Sequence, residues 1–564
     1  MKSVKLITTL FSLFCGGIIW GQSTYTSSRN IRPAKDITVA GYVECDGKPV
    51  ANVTVSDGYE ITKTDNKGAY YLKSKKLNPQ LFISAPSGYE PWREDAVPQF
   101  WADFNLPPDK FERHDFRLKK QDNTRHGLIL VTDMHFHGKR RDEATFGEYM
   151  DIINRESARF TTQGIPVYSI GLGDISYDNH WYETGVDIKK TRSILNDNNW
   201  PAPFYNIMGN HDSDGAVCSG DSTDFLSAIP FMKTFGPRYY SQNIGKVHYV
   251  MLDNIVYFND ESNGTKNEGI KGKRNYKEMI TPEQLSWLEK DLANLDPSTP
   301  VIVAMHCPVH TYKKAGSQIQ IRPDEASATR LKELVKPFKN TIFISGHTHK
   351  NGLVRAQNGK NTIIDLNLVS TCGSIWWNSS FNQKNLAHDG SPAGFEVLDI
   401  DSDSIQWRFV PYEYPSEMQF KAWDVNKLKE FFSTDTEAKT FLKYFPKWGK
   451  YDKLPDNSVL IQVWAWDPGG KLDVYENGKP LHAESVWEVH PDYFAMTAIQ
   501  KAEWTGDYKK GLREPKKARF FLVETSDDKS PLEISYTDAF ERTDRRTFNR
   551  PHKFNSNPKP DSID

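Results

Sequence analysis

At 564 residues the chain exceeds what one hydrophobic core organises, so two or three domains are expected. Its 71 basic and 73 acidic residues nearly cancel, and no long basic stripe stands out, which argues against nucleic acid as a partner. Aromatic residues make up 13% of the chain, and the 15 tryptophans fall mostly beyond the N-terminal third, which suits a β-rich exported protein.

The first 22 residues read as a secretory signal peptide. Lys2 and Lys5 precede an apolar run from Leu6 to Trp20, too short to span a bilayer, with small or polar residues at Gly21 to Ser23. The expected location is therefore periplasmic or secreted. Lipid anchoring on Cys15 would want a small residue before it, where Phe14 stands. No later segment is apolar and long enough for a membrane span. Of the remaining cysteines, Cys45, Cys218, Cys307 and Cys372, export permits a disulfide, and Cys218 with Cys372 is one option.

Residues 23–35 are polar and patternless, as in a linker. From 36 to 120, short β-branched runs alternate with turn signals such as Asp46-Gly47, Asp57-Gly58 and Asn66-Lys67-Gly68, the spacing of a small β-sandwich. From 125 to 368 apolar strands alternate with helical stretches, the signature of a layered α/β fold. One helix is clear in TPEQLSWLEKDLANL: Thr281 as N-cap, Pro282 at the first position, Gln284 completing a capping box, and Leu285, Leu288 and Leu292 on one face. From 369 to 545 strand-like runs return, with a helical interruption over VNKLKEFFSTDTEAKTFLKYF, so a β-rich domain is expected to close the chain.

Five apolar runs in the central region share a habit. HGLILV leads to TDMH, VYSIGL to GD, FYNIM to GNHD, VIVAM to HCP and TIFIS to GHTH. Each sets Asp, Asn or His just past a strand, the end at which open α/β sheets gather ligands. The residues collected are Asp133, His135, Asp174, Asn210, His211, His306, His347 and His349. If the backbone stays extended, Asp133 with His135 and His347 with His349 point into one crevice. Gly173, Gly209 and Gly346 stand where sharp turns and close backbone approach would be needed. His248 and His310 read as structural histidines. Imidazole and carboxylate without thiolate suit Zn, Mn, Fe or Ni, and seven candidates besides His211 are more than one tetrahedral ion needs. Two divalent or mixed-valence ions are therefore expected.

The ordered set D-x-H, GD, GNH[DE], H-x-P and GH-x-H resembles the calcineurin-like metallophosphoesterase superfamily. The pieces GKPVANVTVSDG and TKTDNKGAYYL resemble a transthyretin-like or carboxypeptidase-regulatory-like module, and secreted bacterial members of the superfamily share this order of β-module, phosphoesterase and β-rich C-terminal domain. The resemblance implies a layered α/β core with a central β-sandwich flanked by helices. It implies one ion on Asp133, His135 and His349, a second on Asn210, His306 and His347, Asp174 bridging, and catalytic His211 beside the scissile phosphate. Its orienting acid is left open between Asp178 and Asp212. Trp376 and Trp377 either face substrate or fill the domain junction, and the segments Ser213 to Ile229 and Asp260 to Met279 are expected at the rim.

With only Asp133 and Asp174 anionic, two divalent ions leave the site positive by about two charges, attractive to a phosphate ester. A metal-bound hydroxide is then the expected nucleophile. The expected activity is hydrolysis of phosphomonoesters or phosphodiesters of small molecules, glycans or lipid head groups. The alternatives are a nucleotidase or nucleotide pyrophosphatase, or an inactive glycan-binding surface protein, although a relic should have lost ligands and this chain keeps all of them.

Overall fold

The computed structural model describes residues 23–139, 141–260, 270, 273–293, 295–313, 318–373, 376, 385–436, 438–439, 442, 450–495 and 517–555. The expected signal peptide with Cys15, and Trp377, lie outside them.

The N-terminal module is two stacked sheets, a six-stranded one around Val39–Cys45 and Phe116–Lys120 and a four-stranded one around Thr54–Ser56 and Gln80–Ser84. Val39, Val43, Val55, Leu81, Ile83, Trp101 and Phe116 are buried in it. Residues 23–35 do not hang as a linker. Ser23 N donates to Trp101 O at 2.8 Å, Tyr25 Oη to Glu44 at 2.7 Å and Ser27 N to Asp115 at 2.9 Å, and Arg29 pairs with Glu44 at 3.0 Å. Glu44 and Asp115 are buried carboxylates that need donors, and this short polar segment supplies them.

The module docks on the edge strand Tyr240–Ile244 of the central domain. Ala85 N donates to Gln242 Oε1 at 3.1 Å and Gln242 Nε2 to Ile83 O at 2.8 Å, so the edge is covered rather than exposed.

The central domain holds two sheets whose buried faces share one core. The first runs Phe204–Asn206, Val167–Gly171, Arg125–Val131, Gly394–Asp401, Ser404–Pro411; the second runs Tyr240–Ile244, Val247–Met251, Val301–Ala304, Thr341–Ser345, Asn361–Asn367, Gly352–Asn358. The strands that end at candidate residues each have at least one parallel neighbour and are almost wholly buried, which is why they read as unbroken apolar runs. Helices Asp142–Thr161, Ile188–Asp197, Pro282–Leu292 and Glu325–Val335 belong to this domain.

One strand pairing crosses the expected domain boundary, and one expected cap is corrected. The strand Gly394–Asp401 pairs antiparallel with Arg125–Val131, from Arg125 opposite Asp401 to Leu130 opposite Glu396. The sheet of the α/β core therefore draws its last two strands from residues 394–411, within the segment expected to follow 368. A β-hairpin carries no mark in its own sequence of which sheet it joins. In helix Pro282–Leu292 the leucines are buried as expected, but Thr281 makes no side-chain cap. Gln284 turns inward instead, accepting from Asp253 N at 3.0 Å and donating to Asp253 O at 2.8 Å.

The C-terminal domain is two four-stranded antiparallel sheets, one ordered Phe420–Asp424, Ser458–Val463, Lys517–Glu524, Ala483–Val489 and the other Lys479–Leu481, Lys471–Glu476, Leu532–Thr537, Thr543–Phe548. The expected helix covers Val425–Thr434, capped by Asp424, which accepts from Asn426 N at 3.0 Å. Arg355 of the core bonds Asp467 of this domain at 3.0 Å. The Cys218–Cys372 disulfide is not formed: Cys218 donates its thiol to Asn259 O and Cys372 to Gly373 O. Among the described residues no helix is long and apolar enough to cross a membrane.

One buried charge pins the N-terminal module. Lys76 Nζ, with no side-chain exposure, donates to the carbonyls of Leu106, Pro107 and Lys110 at 3.2, 3.1 and 2.9 Å and pairs with Glu112 at 2.6 Å. Burial alone would raise the Glu112 carboxyl, but hydrogen bonds from His114, Asn105 N, Lys76 and Leu106 N hold it at about 2. A depressed carboxylate stabilises the fold above its unfolded value of ~4.3, and that contribution fades as pH falls towards 2. We expect Lys76→Met to cost about 3–5 kcal/mol in urea unfolding, because it takes the cationic partner away from the buried Glu112 carboxylate. The loss should shrink as the pH is lowered from 5 towards 2.

Candidate metal centre

All eight residues collected from the sequence converge beyond the C-terminal ends of the strands that precede them. They do not do so through extended backbone. Asp133, His135, Asp174, His347 and His349 have φ of 50°, 48°, 50°, 66° and 55°. The pairs Asp133/His135 and His347/His349 thus sit in successive left-handed turns, a conformation that Asp and His adopt more readily than most residues. The glycines permit the close packing. A Cβ on Gly173 would come 2.7 Å from His306 Nδ1, one on Gly209 would overlap the Asp174 carboxylate, and one on Gly346 would overlap Thr132 Oγ1.

The donor atoms form two clusters. In the first, Asp133 Oδ1 is 3.1 Å from His349 Nε2 and 3.7 Å from His135 Nε2, and these two nitrogens are 3.0 Å apart. In the second, His306 Nε2 lies 3.1 Å from both Asn210 Oδ1 and His347 Nδ1 and 3.3 Å from Asp174 Oδ2. The same Asp174 oxygen is 3.9 Å from His135 Nε2, so it faces both clusters. Asp133, His135, Asp174, Asn210 and His306 are buried.

Surrounding groups fix which atoms remain available. His306 Nδ1 donates to Leu172 O at 2.8 Å, which turns the lone pair of Nε2 towards the second cluster. Asp133 Oδ2 accepts from Thr132 Oγ1 at 2.7 Å and His347 N at 2.8 Å, while its buried Oδ1 takes no hydrogen bond. Asp174 Oδ1 accepts from His211 N at 2.6 Å, leaving Oδ2 for the clusters. An orphaned buried carboxylate oxygen among imidazole nitrogens is what a divalent cation would satisfy, and the oxygen and nitrogen donors suit Zn, Mn, Fe or Ni. The electrostatics agree. Burial favours neutral imidazole, yet Asp174 and Asp133 raise His306 to about 10. Burial likewise opposes the Asp174 carboxylate, but His306 and His211 hold it well below its ordinary range. The pocket calls for positive charge.

His211 stands beside the first cluster, its ring 5.1 Å from that of His135. Its Nδ1 lies 2.8 Å from Asp178 Oδ1. Asp212 plays another part, accepting from Ser176 N at 3.0 Å, Ser176 Oγ at 2.8 Å and Gly209 N at 2.9 Å, and so fastens the turn. Of the two acids left open by the sequence, Asp178 is the one that touches His211. Burial pushes the imidazole well below its ordinary value.

Other residues behave as the sequence suggested or add to it. His248 bonds Asn243 and Asp291, and His310 bonds Asp365, away from the clusters. Trp376 is a buried support, donating to Met134 O at 2.7 Å and stacking on Phe136 and Tyr149. Cys307 lies with Glu278 beside His347, and burial holds its thiol well above the ordinary value. Sequence reasoning did not single out Arg274, Tyr276 or Glu278, which reach the site on the strand Lys273–Glu278. They lie in the segment Asp260 to Met279 expected at the rim, and their alternation with Lys273, Asn275 and Lys277 is the signal that would have picked them out of it.

Three family models together span most of the chain: the N-terminal part of calcineurin-like phosphoesterase over 37–121, calcineurin-like phosphoesterase over 128–351, and its C-terminal part over 365–543. This chain belongs to the calcineurin-like phosphoesterase family. Among curated proteins it is similar to purple acid phosphatase 15 of Arabidopsis thaliana, 28% identical over 26% of this chain and 24% of that protein. Purple acid phosphatase 23 of the same plant is 26% identical over 33% of this chain and 36% of that protein. The match thus spans about a quarter to a third of these relatives' length. Among solved structures, a purple acid phosphatase from yellow lupin (Lupinus luteus) aligns over 64% of this chain and 67% of that one, with 14% identity and a TM-score of 0.32. A 5'-nucleotidase from Candida albicans aligns over 75% and 90%, with 8% identity and a TM-score of 0.30.

The overlap found at Gly209 gives a direct test. Gly209→Ala should displace the Asp174 carboxylate, and zinc binding followed by calorimetry should weaken at least ~10-fold for the chain, the scale on which disturbed ligand support acts.

Proposed function

We propose that this chain is an exported, metal-dependent phosphoesterase that hydrolyses phosphate esters at a two-ion centre. The observation that carries the reading is the pair of donor clusters sharing Asp174 Oδ2, with His211 beside them. Asp133, His135 and His349 would hold one ion, Asn210, His306 and His347 the other, and Asp174 both. When bound, such ions supply an acidified water and positive charge for in-line displacement at phosphorus.

The chain's own residues do the rest. His211 Nδ1, against Asp178, fixes the ring so that Nε2 is the atom free to address substrate. When the ring carries a second proton, Nε2 would donate a hydrogen bond to a phosphoryl oxygen or pass that proton to the leaving alkoxide. Leu172 O keeps His306 in the tautomer that binds, and Thr132 keeps Asp133 turned correctly. The signal-like residues 1–22 support export.

The test is hydrolysis of an aryl phosphomonoester and an aryl phosphodiester by the metal-loaded chain. His211→Ala should lower kcat about 10²–10⁴-fold, the usual worth of a positioned acid or base, with metal content unchanged. A wild-type chain that cleaves neither ester with any divalent metal would overturn the reading.

A further inference from the structure

We propose that the strand Lys273–Glu278 is the specificity wall of this site and that Arg274 binds a non-bridging phosphoryl oxygen, favouring dianionic monoesters over monoanionic diesters. This rests on the phosphoesterase reading above and names its substrate class.

The strand has a strict alternation. Lys273, Asn275 and Lys277 are exposed, while Arg274, Tyr276 and Glu278 are half-buried. In a strand such residues share one face, and four residues span roughly 13 Å. That face lies along the site. At one end the Tyr276 ring meets His347 edge-on at 5.8 Å, and Glu278 Oε1 is 3.4 Å from His347 Nε2. Glu278 is held there by Arg322, whose Nε and Nη2 donate to it at 2.9 and 2.8 Å. At the other end, Arg274 reaches His211.

The strand pairs with Ile255–Asp260, Arg274 opposite Asn259, as a hairpin apart from both core sheets. It is nonetheless fastened. Asn259 Nδ2 donates to Gly215 O and Val217 O at 3.2 and 3.0 Å, and Tyr257 N to Asp224 Oδ1 at 2.7 Å. The segment 213–229 thus supports this wall from beneath.

Arg274 is more than a counter-ion for a buried acid. Its Nη1 pairs with Asp178 Oδ2 at 2.6 Å and its Nε donates to Asn179 Oδ1 at 3.1 Å. Its Nη2 sits 3.2 Å from His211 Nδ1, which also faces Asp178 Oδ1 at 2.8 Å, and the five N–H groups of a guanidinium outnumber these three contacts. The guanidinium therefore keeps N–H groups to spend. The Asp178 side chain is fully buried, while that of Arg274 is 20% exposed, which makes the arginine the outermost member of the stack beside His211. A planar cation with spare donors, held next to the residue that addresses phosphate, fits a phosphoryl oxygen. A monoester dianion has one more charged oxygen to offer than a diester.

The test compares wild type with Arg274→Ala and Arg274→Lys, each loaded with zinc. Calorimetry should find inorganic phosphate bound about 10–100-fold more weakly by Arg274→Ala, the worth of a hydrogen bond to a charged group. KM for the aryl monoester should rise by a similar factor, the aryl diester should change less than about 3-fold, and Arg274→Lys should recover part of the loss. Unchanged phosphate affinity with an equal fall in kcat for both esters would overturn the proposal and leave Arg274 as a support for Asp178. A wild-type chain inactive on both esters but still losing phosphate affinity on Arg274→Ala would sink the phosphoesterase reading alone.

Discussion

The whole site depends on one carboxylate. Asp174 is buried, follows directly on a parallel strand, and spends one oxygen on the backbone N–H of His211. Its other oxygen faces His306 and, at a longer distance, His135. His347 N, donating to Asp133 Oδ2 at 2.8 Å, adds a second tie between the two donor clusters. Because Asp174 also holds the backbone of the GNHD turn, the placement of Asn210 and His211 follows from it. A buried anion between imidazoles is stable only with compensating positive charge.

Holding this arrangement has an energetic cost that the fold must offset. Five of the eight residues lie in the left-handed region, at about 1 kcal/mol or more each. That sum is comparable with the net stability of many domains. The buried strands that lead into these turns, and the close contacts at Gly173, Gly209 and Gly346, leave the loops few other conformations. Support also comes from a distance: the N-terminal sandwich closes the edge strand Tyr240–Ile244, and within the core the hairpin Gly394–Pro411 completes the sheet that carries Asp133 and Asp174.

What was legible in the sequence was chemistry at strand ends. An apolar run followed within a few residues by Asp, Asn or His announces itself, three of the five through an intervening Gly, and these runs named the eight residues that the structure brings together. What was not legible depended on contact between distant segments. The choice between Asp178 and Asp212 turns on which carboxylate meets His211 and which meets Ser176 and Gly209. Arg274 comes from a hairpin that belongs to neither core sheet, so no strand-end pattern could have found it. Gln284 looked like half of a capping box because local spacing cannot reveal Asp253, which claims it from another strand end. The polar stretch 23–35 looked unstructured because its partners, Glu44 and Asp115, are buried acids that only the folded sandwich presents.

The central claim of the proposal is that Asp174 would be shared by two metal ions. Anomalous diffraction from crystals of the chain grown with zinc tests it most directly. Two peaks are expected, one among Asp133, His135 and His349 and one among Asn210, His306 and His347, with Asp174 between them. A single peak, or peaks away from Asp174, would contradict it.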